Sequence, residues 1–97
     1  MAAFIIAEIE ILNPDGYKGY TADVPATIAQ YGGRFLVRGG AAEVLEGDWP
    51  RQRRVLIEFP SMEAARAWWD SPEYAKLKAM RRANSTGRLI LLEGFDG

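Results

Sequence analysis

Apolar and polar side chains alternate over residues 4–12. Ile5, Ala7, Ile9 and Ile11 fall on one side; Phe4, Ile6, Glu8 and Glu10 fall on the other. Period two marks a strand, here with one dry face and one mixed face. Asn13-Pro14-Asp15-Gly16 stops it by turn chemistry. The spacing of Tyr17, Tyr20, Val24, Ile28 and Tyr31 then predicts a helix over residues 14–31, kinked or broken at Pro25, with Gly32-Gly33 as its end. Phe35 and Val37 alternate with Leu36 and Arg38 in a second strand closed by Gly39-Gly40. Residues 41–53 read as an irregular hairpin, with a possible short strand over residues 42–46 and Trp49 in a turn before Pro50.

The alternation returns over residues 53–59. Arg53, Val55, Ile57 and Phe59 share one face; Arg54, Leu56 and Glu58 share the other. Pro60 stops this strand, and Ser61 caps a helix running to about Asp70. Ser71 is a second N-cap, with Pro72 suited to the first helical position and Glu73 placing negative charge in the first turn, so a new helix runs to about Asn84. Adjacent tryptophans on a helix point about 100° apart. Trp68 continues the apolar spacing from Ala64 and Ala65 into the core, and Trp69 falls on the flank. Residues 84–87 read as a turn. A last strand covers residues 88–95, with Leu89, Leu91 and Phe95 on one face and Ile90 and Leu92 on the other.

The order is β-α-β followed by β-α-β. Gly33-Arg34-Phe35-Leu36-Val37 is echoed 54 residues later by Gly87-Arg88-Leu89-Ile90-Leu91. That weak repeat suits a ferredoxin-like β-α-β-β-α-β sandwich, with both helical units on one face of a four-stranded antiparallel sheet. The other face is not polar throughout. It carries Phe4, Ile6, Leu36, Leu56, Ile90 and Leu92 among Glu8, Glu10, Arg38 and Glu58. Monomers rarely expose such a patch, so the expected partner is a second copy packed sheet to sheet.

A chain of 97 residues is expected to form a single domain, small enough that association adds stability. Lys and Arg number 12 against 13 Asp and Glu, so no basic excess exists to neutralise phosphates. A sheet that reads RNA would also need stacking aromatics, so no nucleic-acid partner is expected. The chain has neither cysteine nor histidine, which excludes disulfides, thiolate chemistry, a Ser-His-Asp triad and imidazole ligation of zinc or haem. No acidic cluster has the spacing of a magnesium or calcium site. Neither a metal nor another cofactor is expected. The first seven residues are too short and wrongly flanked for a signal peptide or membrane span, so the expected location is cytoplasmic, with no membrane contact.

The segments Tyr31-Gly32-Gly33-Arg34-Phe35-Leu36, Arg38-Gly39-Gly40, Glu46-Gly47-Asp48-Trp49, Glu58-Phe59-Pro60-Ser61 and Trp69-Asp70-Ser71-Pro72-Glu73-Tyr74 together form a pattern spanning nearly the whole chain. It resembles the small bacterial proteins of domain-of-unknown-function family thirteen-thirty, in the dimeric α+β barrel superfamily. The resemblance implies the fold and the dimer. It implies no single activity, because that superfamily includes cofactor-free monooxygenases, lactone isomerases, haem-degrading enzymes and plain ligand binders. Without histidine, this chain departs from the histidine-dependent members.

Candidate chemistry rests on arginines and aromatic rings. Arg38 on the mixed face suits either an interface ion pair with Glu8, Glu10 or Glu58, or a ligand carboxylate. Arg53 at the strand edge either lays its stem on the core or forms the charged end of a helix–sheet pocket with Arg81 and Ser85. Arg81 and Arg82 also offset the helix dipole. Tyr17, Tyr20, Tyr31 and Tyr74 are core packing or pocket lining, and a phenol beside arginine suits an acid or enolate-stabilising role. Trp49 packs on a partner or closes a pocket; Trp69 and Tyr74 flank the helix break as pocket wall or subunit boundary. The expected ligand-binding set is therefore Tyr17, Tyr31, Arg38, Trp49, Arg53, Trp69, Tyr74, Arg81 and Ser85. The sequence favours a homodimer that binds a small anionic or aromatic metabolite. Its rivals are a cofactor-independent monooxygenase or isomerase, and an interaction module without ligand.

Overall fold

The computed structural model describes residues 1–95. Its elements run β1 (Ala3–Ile11), α1 (Pro14–Gln30), β2 (Arg34–Arg38), β3 (Arg53–Phe59), α2 (Met62–Trp69), α3 (Pro72–Asn84) and β4 (Ser85–Glu93). The sheet has the order β2-β3-β1-β4, and all three pairings are antiparallel. The repeat is thereby explained: β2 and β4, which carry the two echoing segments, are the two edges. Arg34 and Arg88, equivalent in that repeat, sit opposite Glu58 and Glu8 on the neighbouring inner strands and bond to them at 2.8 and 2.6 Å.

The dry face of β1 and β3 packs under the helices as period two requires. Ile5, Ala7, Ile9, Val55, Ile57 and Phe59 are all buried, together with Tyr17, Val24 and Ile28 of α1 and Leu77 of α3. Trp68 is fully enclosed and donates its Nε1–H to Thr27 Oγ1 at 3.0 Å, so the largest core residue carries no unmet polar atom. Ser71 separates α2 from α3 with two bonds: its hydroxyl donates to Trp68 O at 2.8 Å and accepts from Tyr74 N at 3.1 Å. One side chain thus ends one helix and starts the next.

Pro25 does not break α1, which runs unbroken from Pro14 to Gln30, so of the kink or break expected at the proline the break is overturned. A proline at position 25 removes the N–H that would bond the carbonyl of Thr21, four residues earlier. That carbonyl has another donor: Arg38 Nη2 reaches it at 2.6 Å. The helix therefore continues through its proline because β2 supplies the missing hydrogen bond.

This contact also corrects the face assigned to Arg38. A register shift between Phe35 and Val37 sets Val37 opposite Leu56 and Arg38 opposite Val55. Such a bulge reverses the alternation, so Arg38 turns to the helix side and Val37 to the open side. Arg38 pairs with none of Glu8, Glu10 and Glu58; the partners of Glu8 are Arg54 at 3.2 Å and Arg88. Three further expectations are overturned. Residues 42–46 form no strand. Residues 85–87 belong to β4, not to a turn, because Ser85 passes directly from α3 into the strand. Gly87 there reflects close approach: a Cβ would meet the Glu8 carbonyl oxygen at 2.5 Å. Phe95 lies beyond β4 and is 97% exposed, outside the helix-side core.

The open face keeps its mixed character. Leu36, Val37, Ile90 and Leu92 are exposed and Phe4, Ile6 and Leu56 half-buried, around a Glu8 carboxylate held between two guanidinium groups. Glu8 sits below its ordinary 4.5, first because Arg88 donates to it and then because Arg54 does, against the opposing cost of burial.

Candidate functional site

Adjacent residues on a helix diverge by about 100°, and α3 uses this with Arg81 and Arg82 as α2 does with its tryptophans. Arg82 points outward. Arg81 points inward and is only 5% exposed. Its Nε donates to Tyr74 Oη over a long 3.4 Å, and among the described residues no carboxylate pairs with it. No enclosed side-chain nitrogen or oxygen there lacks a partner, so the outer guanidinium nitrogens must reach open space. Two cavities meet at this arginine.

The larger is a cleft of about 660 Å³ between the α2–α3 roof and edge strand β4. Ile5, Ala65, Leu89 and Leu91 give it an apolar floor, and Ser85, Thr86 and Gly87 line one end. Trp69, Arg66, Arg81 and Arg82 form the roof side, and among the described residues no acidic side chain lines it. Arg88 also borders it, but its guanidinium is engaged by Glu8. Trp69 is half-buried and its ring is approached by Lys78 Nζ at 4.0 Å and Arg82 Cζ at 5.9 Å. Burial, with the nearby Arg82 charge second, lowers the Lys78 amine from its ordinary value.

The smaller cavity, about 30 Å³, has room for roughly one water. Tyr17, Tyr20, Arg38, Arg53 and Arg81 line it under α1. Burial raises the Tyr17 phenol, an effect opposed by Arg53 and Arg81. Tyr20 is raised strongly by burial and by Tyr74, so it stays protonated and can act only as a neutral donor or acceptor. Tyr20 Oη lies 2.9 Å from Tyr74 Oη. Tyr74 is fully buried and also accepts from Arg81, so Arg81, Tyr74 and Tyr20 form one hydrogen-bonded chain in which either phenol can donate across the Tyr20–Tyr74 bond.

The expected residues divide accordingly. Trp69, Arg81 and Ser85 line the large cleft, with the Ser85 hydroxyl donating to the Arg81 carbonyl. Tyr17, Arg38 and Arg53 line the small cavity, and Arg53 and Ser85 do not share one pocket. Tyr74 lines neither and holds Arg81 from beneath. Tyr31 is elsewhere, donating to Glu73 at 3.0 Å. Trp49 is on the open-sheet side: Arg54, the partner of Glu8, lies 5.4 Å from its ring and donates to Pro50 O. Arg66 is missing from the expected set, and the sequence offers Arg82 only as a dipole partner. The signal for Arg66 is its three-residue spacing from Trp69, which puts both on one side of α2.

The fold is a ferredoxin-like α+β sandwich, and solved structures share it. A protein of unknown function from Rhodopseudomonas palustris superposes with a TM-score of 0.77 at 21% identity, over 99% of this chain and 84% of that one. A dimeric ferredoxin-like protein of unknown function from Jannaschia sp. CCS1 gives 0.72 at 14%, over 97% and 100%. The cofactor-independent oxygenase SnoaB from Streptomyces nogalater gives 0.64 at 14%, over 99% and 95%. No curated protein matches the chain. Residues 2–95 match the family described as domain of unknown function DUF1330, and the chain belongs to that family. No helix among the described residues is long and apolar enough to cross a membrane.

Proposed function

We propose that the protein is a homodimer, packed sheet to sheet, that binds a small anionic metabolite with an apolar or aromatic body in the cleft between α2–α3 and β4. The observation that carries this reading is Arg81: a guanidinium 5% exposed, unpaired with any described carboxylate, at the meeting point of the cavities. Burying a charge without a counter-ion is costly, and an anionic ligand removes that cost. The cleft volume falls within the range of metabolite sites, roughly 300–1,000 Å³. The dimer is supported by the apolar open face and by the Jannaschia protein, whose name describes it as dimeric.

The reading is tested by thermal shift with a panel of aromatic and aliphatic carboxylates. Wild-type protein is expected to be stabilised by a subset of them, and Arg81→Met to lose that response while retaining its helical circular dichroism. A response unchanged in Arg81→Met would remove the support for the site. A second reading, cofactor-independent oxygenation or isomerisation, is favoured by the Arg81–Tyr74–Tyr20 chain, which holds a guanidinium at the large cleft where it could stabilise an enolate. Turnover of an aromatic or lactone substrate without added cofactor, lost in Tyr20→Phe, would establish it; binding without turnover excludes it.

A further inference from the structure

The cleft contains more positive charge than one carboxylate can use. Besides Arg81 at depth, Arg66 of α2 and Arg82 of α3 stand on the same roof. Both are exposed and neither forms an ion pair among the described residues. Trp69 and the apolar floor of Ile5, Ala65, Leu89 and Leu91 line the same cleft. Resting on the ligand site proposed above, we infer that this cleft recognises a dicarboxylate with an apolar body. One carboxylate meets Arg81, the body covers the apolar floor, and the second carboxylate meets Arg66 and Arg82 at the rim.

Each part of the cleft requires its share of that molecule. A monocarboxylate of the same body would satisfy Arg81 and leave the rim pair hydrated. A short hydrophilic dianion would satisfy the arginines but leave the apolar floor wet. The two rim arginines come from different helices across the Asp70–Ser71 break, so they suit a carboxylate approached from two sides. Arg88 is set apart from the rim pair because its Nε donates to Glu8.

Benzoate, terephthalate and phenyl phosphate distinguish the possibilities by calorimetric titration. In wild-type protein, terephthalate is expected to bind at least about tenfold more tightly than benzoate, roughly 1.4 kcal/mol. The double variant Arg66→Met, Arg82→Met is expected to bring terephthalate to within about threefold of benzoate, because it weakens terephthalate by a larger factor than benzoate. Arg81→Met weakens both by at least about tenfold. Equal binding of benzoate and terephthalate, with both lost in Arg81→Met, overturns the dicarboxylate inference while the anion site stands. Tighter binding of phenyl phosphate than of terephthalate overturns it in favour of a phosphate. Absence of binding by all three probes overturns both the inference and the site. Arg81→Lys, which keeps the charge, separates loss of ligand from loss of folding: it is expected to retain part of the affinity.

Discussion

At the scale of single residues, the decisive contrast is between arginines that have a carboxylate and those that do not. Arg34, Arg54 and Arg88 each bond a glutamate, while Arg81 is more deeply buried than any of them and has none among the described residues. The sequence could show that one of Arg81 and Arg82 faces inward, because adjacent helical residues diverge. It places Arg81 in the expected ligand-binding set and gives Arg82 only the helix dipole, but it could not show that Arg81 would be enclosed without a described carboxylate beside it. Likewise Glu8 was legible as an acidic residue on a mixed face, but its partners were not. Its pairing yields a pH prediction. The folded carboxyl lies below its ordinary 4.5, so the stabilisation is complete above that value and is lost as pH falls through the lowered folded value. Thermal melts of wild type and Glu8→Gln from about pH 7 to about pH 3 should therefore converge on acidification. The wild type should have the advantage only above the ordinary carboxylate range. A gap that persists undiminished at the acid end would show that the Glu8 charge contributes nothing.

Elements were legible where a single period governs them. β1, β3 and the Ser71 helix boundary follow from alternation and capping alone, and the structure keeps each of them. The failures at Pro25 and Arg38 share one physical origin: a long-range hydrogen bond overrides the local rule. Pro25 ought to interrupt α1, yet Arg38 supplies the donor that proline lacks, and Arg38 can do so only because the bulge in β2 turns it toward the helix. Neither the bulge nor its partner carbonyl is encoded within a few residues, so no window of sequence reveals them. The two features should be energetically coupled. Arg38→Met is expected to destabilise the wild type by about 1 kcal/mol, the modest value expected for a hydrogen bond at an exposed site. In a Pro25→Ala background the restored backbone N–H can bond the Thr21 carbonyl itself, and the same Arg38→Met change should cost only a few tenths of a kcal/mol. A double-mutant cycle by urea denaturation checks this, and strict additivity would mean that Arg38 does not act through the proline's orphaned carbonyl.

The whole molecule is a slab, 36 × 33 × 17 Å, two layers deep with one layer uncovered. A compact monomer of 10.8 kDa exposes about 5,500 Å², whereas this chain exposes 6402 Å². Its radius of gyration, 13.6 Å, also exceeds the roughly 12.5 Å of a compact chain this long. A standard interface takes about 800 Å² from each partner, comparable to the surplus. The open sheet offers the matching chemistry. Leu36, Ile90 and Leu92 are exposed, Glu8 is neutralised between Arg54 and Arg88, and Trp49 is held at the sheet's margin by Arg54. Sedimentation equilibrium at micromolar concentration is expected to give about twice 10.8 kDa, with a melting temperature that rises with protein concentration. Leu92→Asp places an unpaired charge on this face at a site 40% exposed before association, where water solvates it in the monomer. It should weaken self-association by at least about tenfold while the helix-side cleft, which Leu92 does not line, keeps its ligand response. A wild-type monomer would overturn the dimer, and a Leu92→Asp protein that still dimerises at full strength would move the interface off the sheet.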